Sequence, residues 1–194
     1  MKLPNYLRKR RGGLELKYGK KWIIWNAYNS KLSAYLLGKG RNWPFTKESN
    51  VLYLGAAEGN TLGFLSKICC DGKIVGVDIS PMAMAELINL AEEENNILPV
   101  LADAHFPDKY EVYAANSDIL YQDIAQSDQV EIFIRNYKFF KPKCAFLMIK
   151  SRSMPGNSKN IFDKIEIKLK NEFDNLEIID IKKWAKGHRA YYIE

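Results

Sequence analysis

A short turn bounded by two glycines is the first part of this sequence whose residue types could do chemistry. The apolar run Val51–Leu54 ends at Gly55, and Gly59 follows four residues later, just before Asn60. Gly55 allows the chain to turn, and Gly59 allows a ligand or another backbone segment to approach, because glycine has no Cβ. The backbone N–H groups of a helix that begins after Asn60 would face such a ligand. This arrangement predicts a nucleotide-type binding loop.

Ala56 indicates which ligand of this type the loop suits. Dinucleotide folds use the pattern G-x-G-x-x-G to hold a pyrophosphate, and here Ala56 fills the second glycine position. The alanine favours S-adenosylmethionine (SAM), whose amino-acid end requires hydrogen bonds rather than space for phosphates, over NAD. An ordinary tight turn between a strand and a helix is the alternative. The candidate SAM contacts in this loop are Gly55, Ala56, Ala57, Gly59, Asn60 and Thr61.

Two further loops place acids where a nucleoside needs hydrogen-bond acceptors. The segment KIVGVD at residues 73–78 predicts a second strand that ends at Asp78, and residues 98–101 predict a third strand, which Asp103 follows. A carboxylate at the end of the second strand typically accepts from both ribose hydroxyls. In SAM-dependent methyltransferases an Asp after the third strand often accepts from the adenine amino group, although three ordinary loop acids remain the alternative. The candidate SAM contacts in these loops are Asp78, Ile79, Asp103 and Ala104.

Strands and helices alternate along the rest of the chain, which is typical of an α/β fold. Further strands are predicted at 117–122, 144–149, 176–181 and 190–193, and helices from Ser80, at 129–140 and at 161–173. We predict a Rossmann-like SAM-dependent methyltransferase sheet of seven strands, mostly parallel, with the last strand antiparallel and helices on both faces. Open sheets of this kind bind ligands at the carboxyl ends of their strands, where the candidate residues fall.

The N-terminal segment is predicted to hold a small β hairpin and a helix. Residues 14–25 form two short β-like runs around a turn at Tyr18 and Gly19. Ser30 is placed to cap a helix that runs to residue 37, and Lys31 then occupies its first turn. Because a cation there opposes the helix dipole, Lys31 indicates another role. The predicted domains are residues 1–40, a basic arm with the hairpin and the helix, and residues 41–194, the methyltransferase domain.

Positive charge is concentrated at the N-terminus. The net charge is +6, and residues 1–21 carry eight Lys or Arg against one acid, Glu15, so that segment holds +7 and the remainder −1. A basic cluster of this kind suits the phosphates of RNA or an acidic partner, and a solvated tail is the alternative. The candidate RNA-binding residues are Arg8, Lys9, Arg10, Arg11, Lys17 and, from a later loop, Arg152.

Length and composition exclude several other classes. With 194 residues the chain is large enough to form a stable hydrophobic core without disulfide bonds or a structural metal. Its three cysteines give no disulfide framework, and its two histidines are far apart, so we predict no metal site. No apolar run approaches the roughly 20 residues that a membrane span requires. The N-terminus lacks the apolar core of a signal peptide, so we predict a cytoplasmic protein.

Six segments together resemble archaeal fibrillarin, the RNA 2′-O-methyltransferase of box C/D ribonucleoproteins. They are WNAYNSKLSA, VLYLGAAEGNT, VGVDIS, LPVLADAHFP, YQDIAQSDQ and MIKSRSM, in order from about residue 19 to the end. The resemblance implies SAM-dependent methylation of ribose in rRNA and tRNA, directed by a box C/D guide RNA. It also implies two protein partners, a Nop-type scaffold protein and a kink-turn-binding ribosomal-type protein, in an archaeal cell without a nucleus. The catalytic residues it implies are Lys31, Asp123, Lys150 and His188, and it adds Asp123 and Gln126 to the SAM contacts.

The chemistry of ribose methylation agrees with this set. The methyl group of SAM sits on a sulfonium and is already activated, so the protein must align a 2′-OH and remove its proton. A free lysine has a pKa of about 10.4, which burial and a second cation lower toward that of a usable base. We predict that Lys150 is the base, that Lys31 is the tuning cation, and that Asp123 contacts both. The alternatives without a catalytic role are that Lys31 is a surface residue of a helix, that Lys150 is a lysine at a strand end, and that Asp123 is an ordinary acid in a turn.

The sequence departs from the family pattern at four places. Gly187 stands where the family usually has Asp, RSMP replaces RSID, Asn29 replaces an arginine, and the N-terminal domain is shorter. Because Gly187 directly precedes His188, the alternative for His188 is a residue that serves only in packing. A guide-independent RNA methyltransferase and a non-catalytic scaffold with a SAM fold are the other two interpretations of function. A NAD oxidoreductase is not favoured, since no hydride-handling site accompanies the loop.

Overall fold

The structure is a computed structural model that describes residues 3–56 and 59–194. Its strands are β1 (Leu7–Arg10), β2 (Gly13–Tyr18), β3 (Lys21–Asn26), β4 (Val51–Leu54), β5 (Ile74–Asp78), β6 (Ile97–Leu101), β7 (Ile119–Gln122), β8 (Cys144–Lys150), β9 (Leu176–Asp180) and β10 (His188–Ile193). Its α-helices are α1 (Lys31–Leu37), α2 (Leu62–Ile68), α3 (Pro81–Glu93), α4 (Glu111–Ala114), α5 (Gln129–Phe140) and α6 (Ser158–Glu172).

Seven strands form the main sheet in the order β6-β5-β4-β7-β8-β10-β9. The pairs from β6 through β8 are parallel, and β10 runs antiparallel to both of its neighbours, β8 and β9. All four residues of β4 are buried, as expected for a central parallel strand that is covered on both faces. The predicted fold class, including the antiparallel last strand, is confirmed.

The two faces of the sheet carry separate apolar clusters. One cluster joins residues of α1, α2 and α3, such as Leu32 and Leu62, to one face. The other joins residues of α5 and α6, such as Phe133 and Leu169, to the opposite face. Because both faces are covered by helices, functional groups of this sheet can gather only at the ends of its strands.

The small N-terminal sheet differs from the prediction, because it has three strands rather than the two of a hairpin. β1 pairs antiparallel with β2, so Arg8, Lys9 and Arg10 of the predicted basic arm belong to a strand. The prediction missed β1 because Leu7 is its one apolar and buried residue. The sheet packs on the main domain, with the Trp25 ring stacked on Phe64 of α2 at a centroid distance of 4.9 Å. The domain division at residue 40 stays a prediction.

Element boundaries differ from the predictions by a few residues. β8 extends to Lys150 and β10 begins at His188, two residues before the predicted strand, so both candidate catalytic residues lie at strand ends. The helix α4 was not predicted. In the two described ranges, no helix is long and apolar enough to cross a membrane.

Candidate active site

The loop after β4 owes its two glycines to close packing. Gly55 has φ +76°, and a Cβ there would lie 2.6 Å from the carbonyl oxygen of Asp123, because the loop after β7 crosses it. Gly59 has φ +73°, and its Cβ would lie 2.6 Å from Leu90 Cδ2 of α3. Among the protein atoms, the group that approaches Gly59 is therefore a helix side chain, and the predicted ligand contact stays a prediction. Ala57, another predicted contact, lies outside the described residues.

A cleft of about 290 Å³ opens at the carboxyl ends of β4, β5, β6 and β7. Seven predicted SAM contacts line it: Gly55, Asp78, Ile79, Asp103, Ala104, Asp123 and Gln126. Four residues that sequence reasoning missed line it too: Val77, Ala102, Ile124 and Ala125. Each of these directly precedes or follows a predicted residue, so the strand ends could have indicated them. The predicted contacts Ala56, Gly59, Asn60 and Thr61 are not among its lining residues.

The walls of the cleft fit an adenosine-containing cation. Aliphatic groups of Ile79 and Ile124 form apolar surface, and three carboxylates, those of Asp78, Asp103 and Asp123, line the same space. Carboxylates accept hydrogen bonds from ribose hydroxyls and from an amino group, and they favour positive charge. A pyrophosphate would meet like charge here. The donor and acceptor set therefore suits SAM better than a dinucleotide.

Thr61 connects the loop to the N-terminal helix. The hydroxyls of Thr61 and Ser30 are 2.9 Å apart, and both residues are buried. Ser30 also caps α1, since its hydroxyl accepts from the backbone N–H of Ser33 at 3.4 Å. The predicted cap is thus confirmed. The first residue of α1, Lys31, is consequently held at a fixed distance from the glycine loop.

Lys31 and Asp123 form an ion pair at the edge of the cleft. Lys31 Nζ lies 2.6 Å from Asp123 Oδ2, and the two side chains are 26% and 16% exposed. Asp123 is fixed by its own backbone N–H, which donates to the carbonyl of Leu54 at 2.9 Å. Of the two lysine contacts predicted for Asp123, the described part of the chain shows the one with Lys31 and no ion pair with Lys150.

The end of β8 is held by a buried glutamine. Gln129 is fully buried, its Oε1 accepts from the Lys150 backbone N–H at 3.1 Å, and its Nε2 donates to the Lys150 carbonyl at 3.2 Å. Gln122 Nε2 in turn donates to the Gln129 carbonyl at 2.6 Å. Sequence reasoning took Gln129 only as the start of a helix. The structure gives it the task of fixing the backbone that carries Lys150.

His188 faces the same group of charges from β10. It pairs in register with Lys150. Burial lowers the pKa of His188, the positive charges of Lys31 and Lys150 lower it further, and Asp123 opposes them in part. His188 Nδ1 lies 3.1 Å from the carbonyl of Lys186, and a carbonyl can only accept. Nδ1 therefore carries the proton, and Nε2 of the neutral ring is left as an acceptor.

The backbone of Gly187 fixes the turn that precedes His188. Gly187 has φ +77°, where glycine is favoured, and a Cβ would lie 3.2 Å from Ser151 Oγ. Its carbonyl accepts from both the backbone N–H and the hydroxyl of Ser151, each at 2.9 Å. The turn before His188 is thereby tied to the residue that follows Lys150.

The predicted RNA-binding residues fall in two places. On the outer face of the small sheet, Arg8 Nε lies 2.5 Å and Arg10 Nη1 3.6 Å from the carboxylate of Glu15. The Arg8 guanidinium also lies 4.1 Å from the centroid of the Trp22 ring. Lys9, Arg11 and Lys17 are exposed in the same sheet or its turn. Arg152 lies elsewhere, in a single 3-10 turn (Ser151–Ser153) directly after β8.

Comparison with known proteins gives consistent matches. The model of the Fibrillarin family matches residues 12–194. The fibrillarin-like rRNA/tRNA 2′-O-methyltransferase of Saccharolobus islandicus is 40% identical over 180 residues, and the match covers 89% of this chain and 78% of that relative. A chain in the crystal structure of a fibrillarin/Nop5p complex has a TM-score of 0.87 at 28% identity, covering 100% of this chain and 99% of that one.

A further solved structure is similar at the level of the fold and the sequence. Aeropyrum pernix fibrillarin, in complex with natively bound S-adenosyl-L-methionine, has a TM-score of 0.80 at 29% identity. The match covers 94% of this chain and 89% of that protein. The family match over nearly the whole chain and the identity to the Saccharolobus protein show that this chain belongs to the fibrillarin family.

Proposed function

We propose that this chain is a SAM-dependent methyltransferase that acts on ribose 2′-OH groups of rRNA and tRNA. The observation that supports this most directly is the meeting of two lysines, one aspartate and one histidine beside an acid-lined cleft. The relatives that carry this activity in their names are archaeal, which supports the same role in a cell without a nucleus.

The cofactor assignment follows from the cleft. We assign the ribose hydroxyls of SAM to Asp78 and its adenine amino group to Asp103, and the position of both residues in the lining of the cleft supports this. Ile79 and Ile124 provide apolar contact for the flat ring. When bound, SAM supplies an activated methyl group. The remaining tasks belong to the side chains of the protein.

Those tasks are to hold the 2′-OH and to remove its proton. We assign the proton to Lys150, whose backbone is fixed on both sides by Gln129. Lys31, paired with Asp123, provides positive charge for the nucleotide and keeps that carboxylate oriented toward the cleft. His188 offers its Nε2 as an acceptor for a hydroxyl at the same place. General base catalysis of this kind contributes about 10²- to 10⁴-fold.

RNA and protein partners complete the proposal. Arg152 follows Lys150 by two residues, which makes it the candidate for phosphates next to the reacting ribose. The cations of the small sheet are candidates for more distant phosphates. We propose that a box C/D guide RNA selects the target and that a Nop-type scaffold and a kink-turn-binding protein place it. The similarity to a chain crystallised with Nop5p supports the scaffold partner.

Reconstitution tests the proposal. The chain is mixed with a guide RNA, a complementary target, a Nop-type scaffold, a kink-turn-binding protein and SAM labelled in its methyl group. We expect label at one target nucleotide, detected as a bond that resists alkaline hydrolysis. As a control, a guide whose pairing is shifted by one nucleotide should move the labelled position by one.

Two outcomes would replace the proposal. Label in the target without a guide would indicate a guide-independent RNA methyltransferase. SAM binding without label in any mixture would indicate a scaffold subunit. A thermal shift with NAD but none with SAM would remove the cofactor assignment itself, because a ligand raises stability only where it binds the folded state.

A further inference from the structure

A histidine that the proposed chemistry does not use lies between two carboxylates, one of which, that of Asp103, belongs to a residue that lines the cleft. His105 Nδ1 is 2.6 Å from Asp103 Oδ1, and His105 Nε2 is 2.7 Å from Asp128 Oδ2. Ionised carboxylates accept hydrogen bonds and cannot donate them. Both contacts are hydrogen bonds only when both ring nitrogens carry a proton. The geometry is therefore that of an imidazolium held by two acids.

The local charges agree with this protonation state. Hydrogen bonds to Asp128 and to Asp103 raise the pKa of His105 against the effect of burial. The hydrogen bond from His105 lowers the pKa of Asp128. Burial alone would raise the pKa of Asp103, but the hydrogen bonds from His105 outweigh it and lower it. The three side chains are 26% to 45% exposed, so solvent weakens these effects without removing them.

Other charged groups near the ring add little to this balance. Arg135 of α5 donates from Nη1 to the backbone carbonyl of His105 at 2.8 Å. The 3-10 turn that follows His105 carries Asp108 and Lys109, and their side chains pair with each other at 3.4 Å. The two carboxylates that flank the ring are thus the groups that set its charge.

The bridge joins the loop after β6, where Asp103 lines the cleft, to Asp128 at the start of α5, two residues after the cleft residue Gln126. Asp103 follows β6, and Asp128 directly precedes α5. A buried bond supports the same connection, since Asn136 Nδ2 of α5 donates to the carbonyl of Ala104 at 2.8 Å. Both bonds from His105 to Asp103, one from the ring and one from the backbone N–H at 2.9 Å, end on Oδ1. Oδ2 of the same carboxylate is the atom that a ligand can use.

We infer that His105 is a positioning residue for the cofactor, and that as an imidazolium it holds Asp103 against Asp128 so that the free oxygen of Asp103 accepts from the adenine amino group. The inference rests on the proposed use of the cleft for SAM. The inference gives His105 no contact with the methyl group or the RNA, so we expect it to act on affinity and to leave the chemical step unchanged.

The inference gives SAM binding a pH dependence of defined sign. Below the pKa of His105, both nitrogens donate and the bridge is complete. Above it, one nitrogen becomes an acceptor facing a carboxylate, and one of the two connections is lost. The wild-type protein should therefore bind SAM more tightly at pH 6 than at pH 9 by an amount that depends on His105.

Calorimetric titration of the full chain with SAM between pH 6 and pH 9 tests this. Because SAM titrates in this range too, the ratio of variant to wild-type Kd is compared at each pH, so that the change in the ligand cancels. For His105→Ala we expect a ratio of roughly tenfold at pH 6 that shrinks by pH 9, as expected for loss of a partly exposed charge-assisted pair. The Kd of His105→Gln should lie between those of the wild-type protein and His105→Ala. The ratio for Asp128→Asn should also be largest at pH 6 and shrink by pH 9.

The controls separate this inference from the proposed function. Asp108→Asn removes an equal charge three residues away and should give a ratio near one at every pH. A ratio for His105→Ala that does not change with pH would show a purely structural role and overturn the inference. Saturating SAM should restore the wild-type transfer rate in the reconstituted particle, and a lower rate at saturation would also contradict it. If the wild-type protein bound no SAM, the proposed function would fail first.

Discussion

The two halves of the sheet edge differ in the sign of their charge. On one side, β5 and β6 lead into the acids Asp78 and Asp103. On the other side, β8 and β10 present Lys150 and His188. Two strands, β4 and β7, lie between these halves, and Asp123, which follows β7, is paired with Lys31. The acid half suits a cationic cofactor and the basic half suits a polyanion, so the two reactants would meet at the ends of these central strands.

The two histidines of the chain show the same difference in their titration. In the acid half, hydrogen bonds to Asp128 and Asp103 raise the pKa of His105. In the basic half, burial and the charge of Lys31 lower the pKa of His188. The negative charges of the acid half thus favour the protonated form of His105, and the positive charges of the basic half favour the neutral form of His188. The comparison predicts that substitutions in one half change cofactor binding, while substitutions in the other change transfer.

The largest effect is expected at Lys150. Lys150→Ala should lower methyl transfer in the assembled particle by about 10²- to 10⁴-fold, the range for loss of a general base, while SAM and RNA still bind. Lys150→Arg should also fail, because a guanidinium stays protonated. Single-turnover rates measure this, with the exposed Lys164→Ala as the matched control. Full activity of Lys150→Arg would leave Lys150 as a positioning charge and shift the base to another group.

A smaller effect is expected in the acid half. Asp78→Ala should raise the Kd for SAM by roughly ten- to 100-fold, because hydrogen bonds to a charged acceptor contribute about 1.5–3 kcal/mol. Lys31→Ala should change that Kd much less than it changes transfer. Isothermal titration measures both, and Asp174→Ala, at an exposed site, controls for the loss of one negative charge. If the Asp78 and Lys31 substitutions raised the Kd for SAM equally, the claim that the acid half alone governs cofactor binding would be wrong.

The small sheet should give a modest effect on RNA binding. Replacing Arg8, Lys9, Arg10 and Arg11 with Gln should reduce the salt dependence of RNA affinity. Because the single carboxylate of Glu15 offsets one of the positive charges on Arg8 and Arg10, we expect the slope of log K against log salt to fall by about three rather than four. A control with Gln at Lys159, Lys164, Lys170 and Lys183 makes the same charge change on exposed sites. Equal slopes for the two variants would show a general charge effect.

The smallest effect is the separation of the two histidine titrations. Proton NMR of the folded protein should show one imidazole above the ordinary pKa of about 6.5 and one below it. The raised pKa of His105 contributes stability below about pH 6.5 that is lost as pH rises through its folded pKa, whereas the lowered pKa of His188 contributes stability above about pH 6.5 that is lost as pH falls. His105→Gln assigns the signals. If both imidazoles titrated above the ordinary pKa, or both below it, the proposed division of charge would be contradicted.

Local pattern predicted the fold and part of the candidate site. The buried run of β4, the glycine that follows it and the acid after β5 are features of adjacent residues, and the sequence shows them directly. The resemblance supplied Lys31, which the structure places 2.6 Å from Asp123 although the two are 92 residues apart. β1 escaped prediction because Leu7 is its one apolar residue, and the contacts of Arg8 and Arg10 with Glu15 of the neighbouring strand cannot be read from its own segment.

Contacts between distant segments were beyond the sequence. Gln129 holds the backbone of Lys150 from 21 residues away, and a glutamine at a helix start has no local signature for that task. His105 was considered only as a zinc ligand, because its bridge depends on Asp128, 23 residues later and at the start of another element. Such polar contacts become visible only when the packing of α5 brings the segments together.

The place of β10 in the sheet has a consequence for the biosynthesis of the protein. β9 precedes β10 in the chain, but β10 is its one neighbour in the sheet that the structure describes. On the ribosome, β9 is therefore synthesised before its pairing partner, and it can join the sheet only after residues 188–193 have been made. Every strand that borders the acid cleft has been synthesised by then. Protease protection of stalled nascent chains of increasing length, with and without SAM, would measure this order. We expect SAM to bind the growing chain before the basic half of the sheet edge is complete.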